Sequence, residues 1–456
     1  MTSISIIGAG FSGTLLALHL LRRCPNLSEL KLIERQDSFG HGPAYATGNP
    51  HHLLNVPAGR MSAFHDRPGD FVEWLAADNA EHGEPAPSGS DFVPRGRYGR
   101  YIRHLLVQQV GEAAPLKLIR GTVTALNADG PRLVLQLDRG RAVESDIVVL
   151  AIGNFPPEPP PGAPPDFLDS LCYRADPWAA NTLTDLDPAA PVLLIGTGLT
   201  MVDMVLSLQK QGHRGPIHAL SRRGLLPRRH LVHAGSVLPT DRFPRFPTRL
   251  LELTRLIRAE IRRGVAVGGD WQPVIDAMRP FTQDIWMAFD HPEKERFLRH
   301  LRPWWDVHRH RMAPAVGDRI AASLASGQLT VHAGRIHALE CRGDHIRIGF
   351  ARRGSGEAGE LDAGRVINCA GPGADYDRIA DPLVRSLLSR GLIRPDPLKQ
   401  GLDVTANGAV KDREGAISRR IFALGPITKG MFWEITAVPD IRRQCDILAT
   451  HLALLA

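Results

Sequence analysis

The stretch Ser3-Ile4-Ser5-Ile6-Ile7-Gly8-Ala9-Gly10-Phe11-Ser12-Gly13 decides the fold. A short apolar run ends in G-x-G-x-x-G. The residues that follow, Thr14 to Arg23, place Leu15, Leu16, Leu18 and Leu21 on one apolar helical face. A second strand-like run, Leu30-Lys31-Leu32-Ile33, ends at Glu34, 21 residues past Gly13. Strand, glycine turn, helix and acid in this register form a dinucleotide fingerprint. Gly8 permits the tight turn, Gly10 lets the backbone approach a pyrophosphate, and Gly13 lets the helix pack on the strand. Phosphates face the helix N-terminus, where Phe11 and Ser12 add free N–H groups, and Glu34 is placed to accept from a ribose hydroxyl, with Arg35 beside it.

The plan recurs at Pro191-Val192-Leu193-Leu194-Ile195-Gly196-Thr197-Gly198-Leu199-Thr200-Met201. Gly196, Gly198, Leu199 and Thr200 form the second phosphate loop. Met201 stands where the first copy has its third glycine, so this helix is expected slightly farther from its sheet. The next strand candidate, Pro216-Ile217-His218-Ala219-Leu220, ends in Ser221-Arg222-Arg223, where the first copy has Glu34 and Arg35. A carboxylate at this tip suits a ribose hydroxyl, whereas a guanidinium suits a 2′-phosphate. The first site therefore reads as FAD and the second as NADPH; the alternative for Arg222 and Arg223 is a solvated turn.

Each copy is followed by a hairpin-rich stretch, Leu118 to Leu137 with an Asp129-Gly130 turn and Leu329 to Phe350 with a Gly343-Asp344 turn. Each stretch leads into a buried strand ending in small residues, Ile147 to Gly153 and Val366 to Gly371. The expected fold is α/β, with two Rossmann-like dinucleotide-binding domains, β-meanders and a helical insertion. The boundaries read as an FAD domain at 1–157 and 372–456, a Pro-rich linker at 158–184, and an NAD(P)H domain at 185–371 with a helical insertion at 245–326. The insertion carries Phe281, Trp286, Phe289, Phe297, Trp304 and Trp305, which either cap a substrate pocket or simply pack helices together.

Composition narrows the function classes. Apolar residues make up 43% of the 456-residue chain and charged residues 23%, ordinary globular usage. The formal net charge is +7, without a dense basic block, which suits a small anionic ligand better than nucleic acid. The five cysteines Cys24, Cys172, Cys341, Cys369 and Cys445 are scattered and form no C-x-x-C, which argues against a disulfide framework, a metal site or a dithiol centre. No apolar run is long enough to span a membrane. A cytoplasmic protein is the expectation; oligomeric state is not legible.

Three further stretches are candidate chemistry. The Pro/Gly/His-rich loop Asn49 to Phe64 carries Asn55 and Ser62, which suit flavin or nicotinamide carbonyls, and Arg60, which suits an anionic substrate; Asn and Ser there equally suit plain turns. The run Gly425 to Thr436, with Trp433, Glu434 and Ile435, follows a strand and precedes a helix at Val438 to Leu455. In Arg302 to Arg311, Arg309 and Arg311 are placed to bind phosphate or carboxylate, or to line a solvated or interdomain ion-paired face.

Gly42-Pro43-Ala44-Tyr45, His52-Leu53-Leu54-Asn55-Val56-Pro57-Ala58 and Gly425-Pro426 with Phe432-Trp433-Glu434-Ile435 resemble a bacterial FAD/NAD(P)-binding flavoprotein group. That group includes an FAD-dependent urate hydroxylase and the nitrosuccinate-forming aspartate N-monooxygenase. The resemblance implies an NADPH-dependent flavin monooxygenase using O2 on a small polar anionic substrate. Urate-type hydroxylation ranks first and amino-acid N-oxygenation second. The alternative is a reductase or oxidase that inserts no oxygen. The resemblance also places the flavin ribityl and pyrimidine edge at Gly425 and Trp433 to Ile435. The chain departs from its relatives in having Pro426 where an aspartate would bind the ribityl chain.

Overall fold

Residues 2–24, 27–111, 115–231 and 246–455 are described in the computed structural model. Strand β1 (Ser3–Ile7) is buried along its whole length, as parallel strands covered on both faces are. The helix Phe11–Arg23 crosses back to β2 (Glu29–Glu34), and β3 (Leu116–Arg120) extends the sheet beyond β2. A three-stranded antiparallel meander follows, β4 (Val123–Asn127), β5 (Leu133–Leu137) and β6 (Ala142–Ser145). The sheet resumes at β7 (Ile147–Leu150), parallel to β1 on its other side. The sequence expectation of a hairpin from Leu118 needs correction here. Leu118 lies in β3, paired in parallel with Leu32, and the hairpin starts only at Val123.

The second unit opens with β8 (Tyr173–Arg174), β9 (Val192–Ile195), the helix Leu199–Lys210 and β10 (Ile217–Ser221). It closes with β11 (Leu329–Arg342), β12 (His345–Arg352), β13 (Ala358–Ala363) and β14 (Arg365–Asn368). The sheet order is β13-β12-β11-β10-β9-β14-β8. Arg342 pairs with His345 across the two-residue Gly343-Asp344 turn, and Gly343 takes the positive φ of 66° that such a turn requires. The stretch expected as a linker, 158–184, supplies β8, which pairs with Val366 and Ile367 and so forms an edge of this sheet. Two residues carry too little periodicity to announce a strand.

Between β10 and β11 the insertion is helical, with segments at Leu250–Ala266, Gln272–Met278, Thr282–Ala288, His291–Arg296, Arg302–Arg309 and Pro314–Ala325. Its expected first residue, 245, lies outside the described residues. The chain then returns to the first unit. There β15 (Ala409–Lys411) and β16 (Ile417–Ala423) complete the sheet β15-β16-β7-β1-β2-β3. The helix Val438–Ala453 joins the same core as the helix Phe11–Arg23, with Cys445 Sγ against the Ser12 carbonyl. No described helix is long and apolar enough to cross a membrane.

The two units meet along a polar seam. Arg95 pairs with Asp203 at 2.8 Å, and His52 Nε2 lies 2.9 Å from the Asp203 carbonyl oxygen and 3.0 Å from Ser207 Oγ. Arg95, at the start of the helix Arg95–Val107, and His52, in the loop Asn49 to Phe64, thereby hold the helix Leu199–Lys210 of the second unit.

Candidate cofactor and substrate sites

The first glycine loop is shaped by sterics that only glycine satisfies. Gly8 has φ +101°, donates its N–H to Ile33 O at 2.8 Å, and lies so close to β7 that a Cβ would stand 2.9 Å from the Ala151 carbonyl carbon. A Cβ on Gly13 would overlap the Gly8 carbonyl oxygen. Gly10 caps the helix with extended backbone and no side-chain hydrogen bond, which leaves the first N–H groups free for an anion. Glu34 accepts from Ala9 N–H at 2.8 Å and Gln36 N–H at 3.0 Å, folding its carboxylate over the loop. Arg35 stands 3.6 Å from Asp381.

The chain's other candidate FAD residues divide by role. The Phe11 ring packs against Tyr45 and Tyr98, at 5.4 and 5.7 Å between centroids, so only its backbone faces the loop. Gly425 meets Ser12, since a Cβ there would stand 2.6 Å from Ser12 Oγ. Gly153, with φ +71°, follows β7 at the same carboxyl edge of the sheet and has open space beside it. Trp433 turns the other way. Its ring stacks on Trp286 at 4.8 Å and meets Phe297 edge-on at 5.2 Å, in the core of the insertion. Ile435 is fully buried in the core of the first unit. The side chains of Trp433 and Ile435 are thus packing groups, and only their backbones are available to a cofactor.

The second loop repeats the glycine turn and open helix N-terminus of the first. Gly196 has φ +111°, donates to Leu220 O at 2.8 Å, and its Cβ would stand 2.8 Å from the Cys369 carbonyl carbon. Gly198 caps the helix Leu199–Lys210 as Gly10 caps its counterpart, again without a side-chain bond. Leu199 and Thr200 open that helix half-buried, while Met201 is fully buried under the sheet. Ser221 spends its hydroxyl on the loop, 2.9 Å from Thr197 Oγ1 and accepting from Gly224 N–H at 3.0 Å. Arg222 is exposed and Arg223 half-buried at the tip, and neither has an acceptor or ion-pair partner among the described residues.

A cavity of about 170 Å3 lies where both units, the insertion and the C-terminal loop converge. This is below the ~300–1,000 Å3 of pockets for drug-sized ligands and suits a small molecule. Asn55 and Arg60 line it from the first unit, His230 from the second, Asp276, Arg279, Arg309 and Arg311 from the insertion. Arg309 Nε lies 2.9 Å from Glu434 Oε2, with both side chains buried, and Trp305 Nε1 donates to the other Glu434 oxygen. Glu434 holds this position at φ +65°, a left-handed conformation that non-glycine residues seldom adopt. Arg311 pairs with Asp276, donates to Gln272 Oε1 at 2.9 Å, and lies over the Trp271 ring.

Burial governs the titration here. It pushes the His230 imidazole down to about 4, helped by the nearby Arg311, while His230 Nε2 bonds Asn55 O at 3.1 Å. That ring is neutral at neutral pH. Burial and the neighbouring Arg309 bring the Arg279 guanidinium down to about 10, so it stays charged. Burial likewise brings Lys429 down to about 8, above the Trp433 ring.

One expectation needs correction. Ser62 is not available to a ligand: its hydroxyl donates to Arg67 O at 2.7 Å and accepts from Phe64 N–H at 3.1 Å, closing its own loop. Of the alternatives open for Arg309 and Arg311, the solvated face does not apply: both are buried in ion pairs, Arg309 with Glu434 of the first unit and Arg311 with Asp276, and both line the cavity. Arg279, Asp276 and His230 were not legible as site residues. No motif surrounds them, and only folding of the insertion onto the first unit brings them to Asn55 and Arg60.

These residues fit the groups inferred from sequence. Two uncapped helix N-termini behind glycine turns suit pyrophosphates, an acid closes one loop, and paired guanidiniums close the other. The structure is a mixed α/β fold with two Rossmann-like dinucleotide-binding domains. Residues 5–155 match a family model described as FAD-NAD(P)-binding. No curated protein sequence matches the chain. Among solved structures, it is similar to the ornithine N-hydroxylase of Kutzneria sp. 744, solved with reduced FAD, NADP+ and L-ornithine, at 14% identity and a TM-score of 0.67 over 99% of each chain. The ornithine hydroxylase of Pseudomonas aeruginosa gives 14% identity and a TM-score of 0.66 over 99% of each chain. The L-lysine 6-monooxygenase of Pseudomonas syringae gives 16% identity and a TM-score of 0.62 over 99% of each chain. At these identities the likeness is one of fold.

Proposed function

We propose that this chain is an FAD-dependent, NADPH-using monooxygenase acting on a small, polar, anionic substrate with O2. The observation that carries this reading is the duplicated glycine cradle together with a guanidinium-rich cavity bounded by both units. Bound FAD supplies the electron transfer and oxygen activation that no side chain can. The protein's residues do the rest. Backbone N–H groups at Gly10 to Ser12 and Gly198 to Thr200 hold the two pyrophosphates. Glu34 orients one ribose, and Arg222 with Arg223 bind a 2′-phosphate bidentately. Arg60, Arg279, Arg309 and Arg311 attract and orient an anion in the cavity.

The similarity to ornithine and lysine hydroxylases supports N-oxygenation of an amine-bearing acid ahead of a urate-type ring. Anaerobic NADPH should bleach the flavin of the purified protein. In air, the true substrate should accelerate NADPH oxidation without matching H2O2. Slow, substrate-independent oxidation with stoichiometric H2O2 across purines and amino acids would instead assign an oxidase or reductase.

A further inference from the structure

The turn that follows β10 rests on the neighbouring strand. Ser221 Oγ accepts from Gly224 N–H at 3.0 Å, which curls Arg222-Arg223-Gly224 back over β11. A Cβ on Gly224 would stand 3.0 Å from Ala333 Cβ, so the turn lies directly against that side chain. Ser221 and Ala333 are partners in adjacent parallel strands. Both point to the face of the sheet that carries the helix Leu199–Lys210, as Ala219 and Val331 do two residues earlier. The meander brings a further guanidinium to this place. Arg353 donates its N–H to Ala333 O at 2.8 Å, one step past the Gly334–Arg352 pair, so it stands opposite Ala333 across the β11–β12 ladder. Opposite side chains in an antiparallel ladder share a face, with Cβ atoms about 4.5–5.5 Å apart. Arg353 is thus the cross-strand neighbour of the residue on which the turn rests. It is exposed and has no acceptor or ion-pair partner among the described residues. Arg352 points to the other face, where its guanidinium lies over the Phe350 ring. Arg335 shares the face of Arg353 but stands two residues farther along β11, opposite Ala351.

We infer that Arg353 is a third guanidinium for the adenosine 2′-phosphate, reaching it from the meander while Arg222 and Arg223 hold it from the turn. This rests on the NADPH reading of the second cradle and adds a residue that lies outside the glycine fingerprint and its strand tip. A phosphate monoester carries ~1.5–2 negative charges at neutral pH and offers three acceptor oxygens. Guanidiniums on two sides of it satisfy more of those oxygens than a pair on one side. Cofactor choice is then set by the β-meander as well as by the Rossmann unit.

The test is calorimetry on the full-length, FAD-loaded protein at constant ionic strength. Its two probes differ only in the group at issue: adenosine 2′,5′-bisphosphate and adenosine 5′-monophosphate. The bisphosphate should bind more tightly, and Arg353→Met should shrink that preference about tenfold, the low end for a charge-assisted bond because the site is open to water. Affinity for the monophosphate should move about twofold or less. Arg352→Met removes the same charge one residue away on the opposite face, and it should leave the preference within about twofold. Both side chains are exposed, so neither variant opens the core. An unchanged preference in Arg353→Met would overturn the inference. So would equal losses in Arg352→Met and Arg353→Met, which would show a diffuse positive field in place of a contact. The protein carrying both Arg222→Ala and Arg223→Ala separates this inference from the reading beneath it. A preference that falls there and not in Arg353→Met refutes only the third guanidinium. No preference in the unaltered protein refutes the 2′-phosphate reading, and the inference with it.

Discussion

One added methyl at Gly13 should cost the protein its flavin before it costs the fold. In Gly13→Ala the new Cβ overlaps the Gly8 carbonyl oxygen and stands 3.1 Å from Ile6 Cγ2. Gly8 cannot retreat, because its N–H is tied to Ile33 O at 2.8 Å and its α-carbon is pressed against Ala151. The helix Phe11–Arg23 must therefore move outward by about 1 Å, although its first three turns are buried. Overpacking of this kind costs about 1–3 kcal/mol, which a chain stable by ~5–15 kcal/mol survives. The same shift misplaces the N–H groups that would face the pyrophosphate, and each charge-assisted bond is worth about 1.5–3 kcal/mol. Loss of one or two such bonds weakens FAD binding by roughly 10- to 10,000-fold. The assay is flavin content on purification and the FAD dissociation constant by fluorescence quenching, with circular dichroism to confirm folding. Met201→Ala, at the equivalent place in the second loop, should leave FAD affinity unchanged. A folded Gly13→Ala protein with full flavin and unaltered affinity would refute this account of the loop.

Replacing Arg222 and Arg223 together with alanine should raise KM for NADPH about 10- to 100-fold while KM for NADH moves about threefold or less; equal effects in steady-state kinetics would show that these arginines read no 2′-phosphate. Glu434→Gln keeps an acceptor for Trp305 but leaves Arg309 as an uncompensated buried charge, which should lower stability by about 3–5 kcal/mol; an unchanged thermal midpoint would contradict the pairing. His230 is neutral in the fold, with a pKa of about 4 against an ordinary 6.5, so only the unfolded chain gains a proton as pH falls through that window. Its contribution is complete above pH 6.5 and is lost as pH drops toward about 4. His230→Gln should therefore lose less stability than the parent between about pH 7 and pH 5 in urea titrations, and identical losses would count against a buried neutral ring.

The glycine loops were legible because their cause is local. Gly8 and Gly196 adopt positive φ where a Cβ would strike the adjacent strand, and no other residue type fits at either place. Strands β7 and β9 were equally plain, since burial on both faces demands unbroken apolar runs. The cavity was only half legible. Asn55 and Arg60 could be picked from a loop of unusual composition, but Arg279 is a single arginine at the end of a short helix. Its meaning appears only once the insertion folds against the first unit. The charge-dense run Arg302 to Arg311 left open a ligand-binding stretch, an ion-paired interdomain face or a solvated one, and only the folded insertion decides among them, by burying Arg309 against Glu434 in the cavity wall. Trp433 lies in a run that resembles a flavin-holding turn, yet its ring finds a better partner in Trp286, 147 positions earlier in the chain.

The most direct measurement is the visible spectrum of the purified chain, before and after NADPH is added without oxygen. Two bound nucleotides in the cradles at Gly8 to Gly13 and Gly196 to Thr200 require a yellow protein whose absorbance NADPH bleaches. A folded protein that stays colourless after incubation with FAD, or a bound flavin that NADPH leaves oxidised, would contradict it.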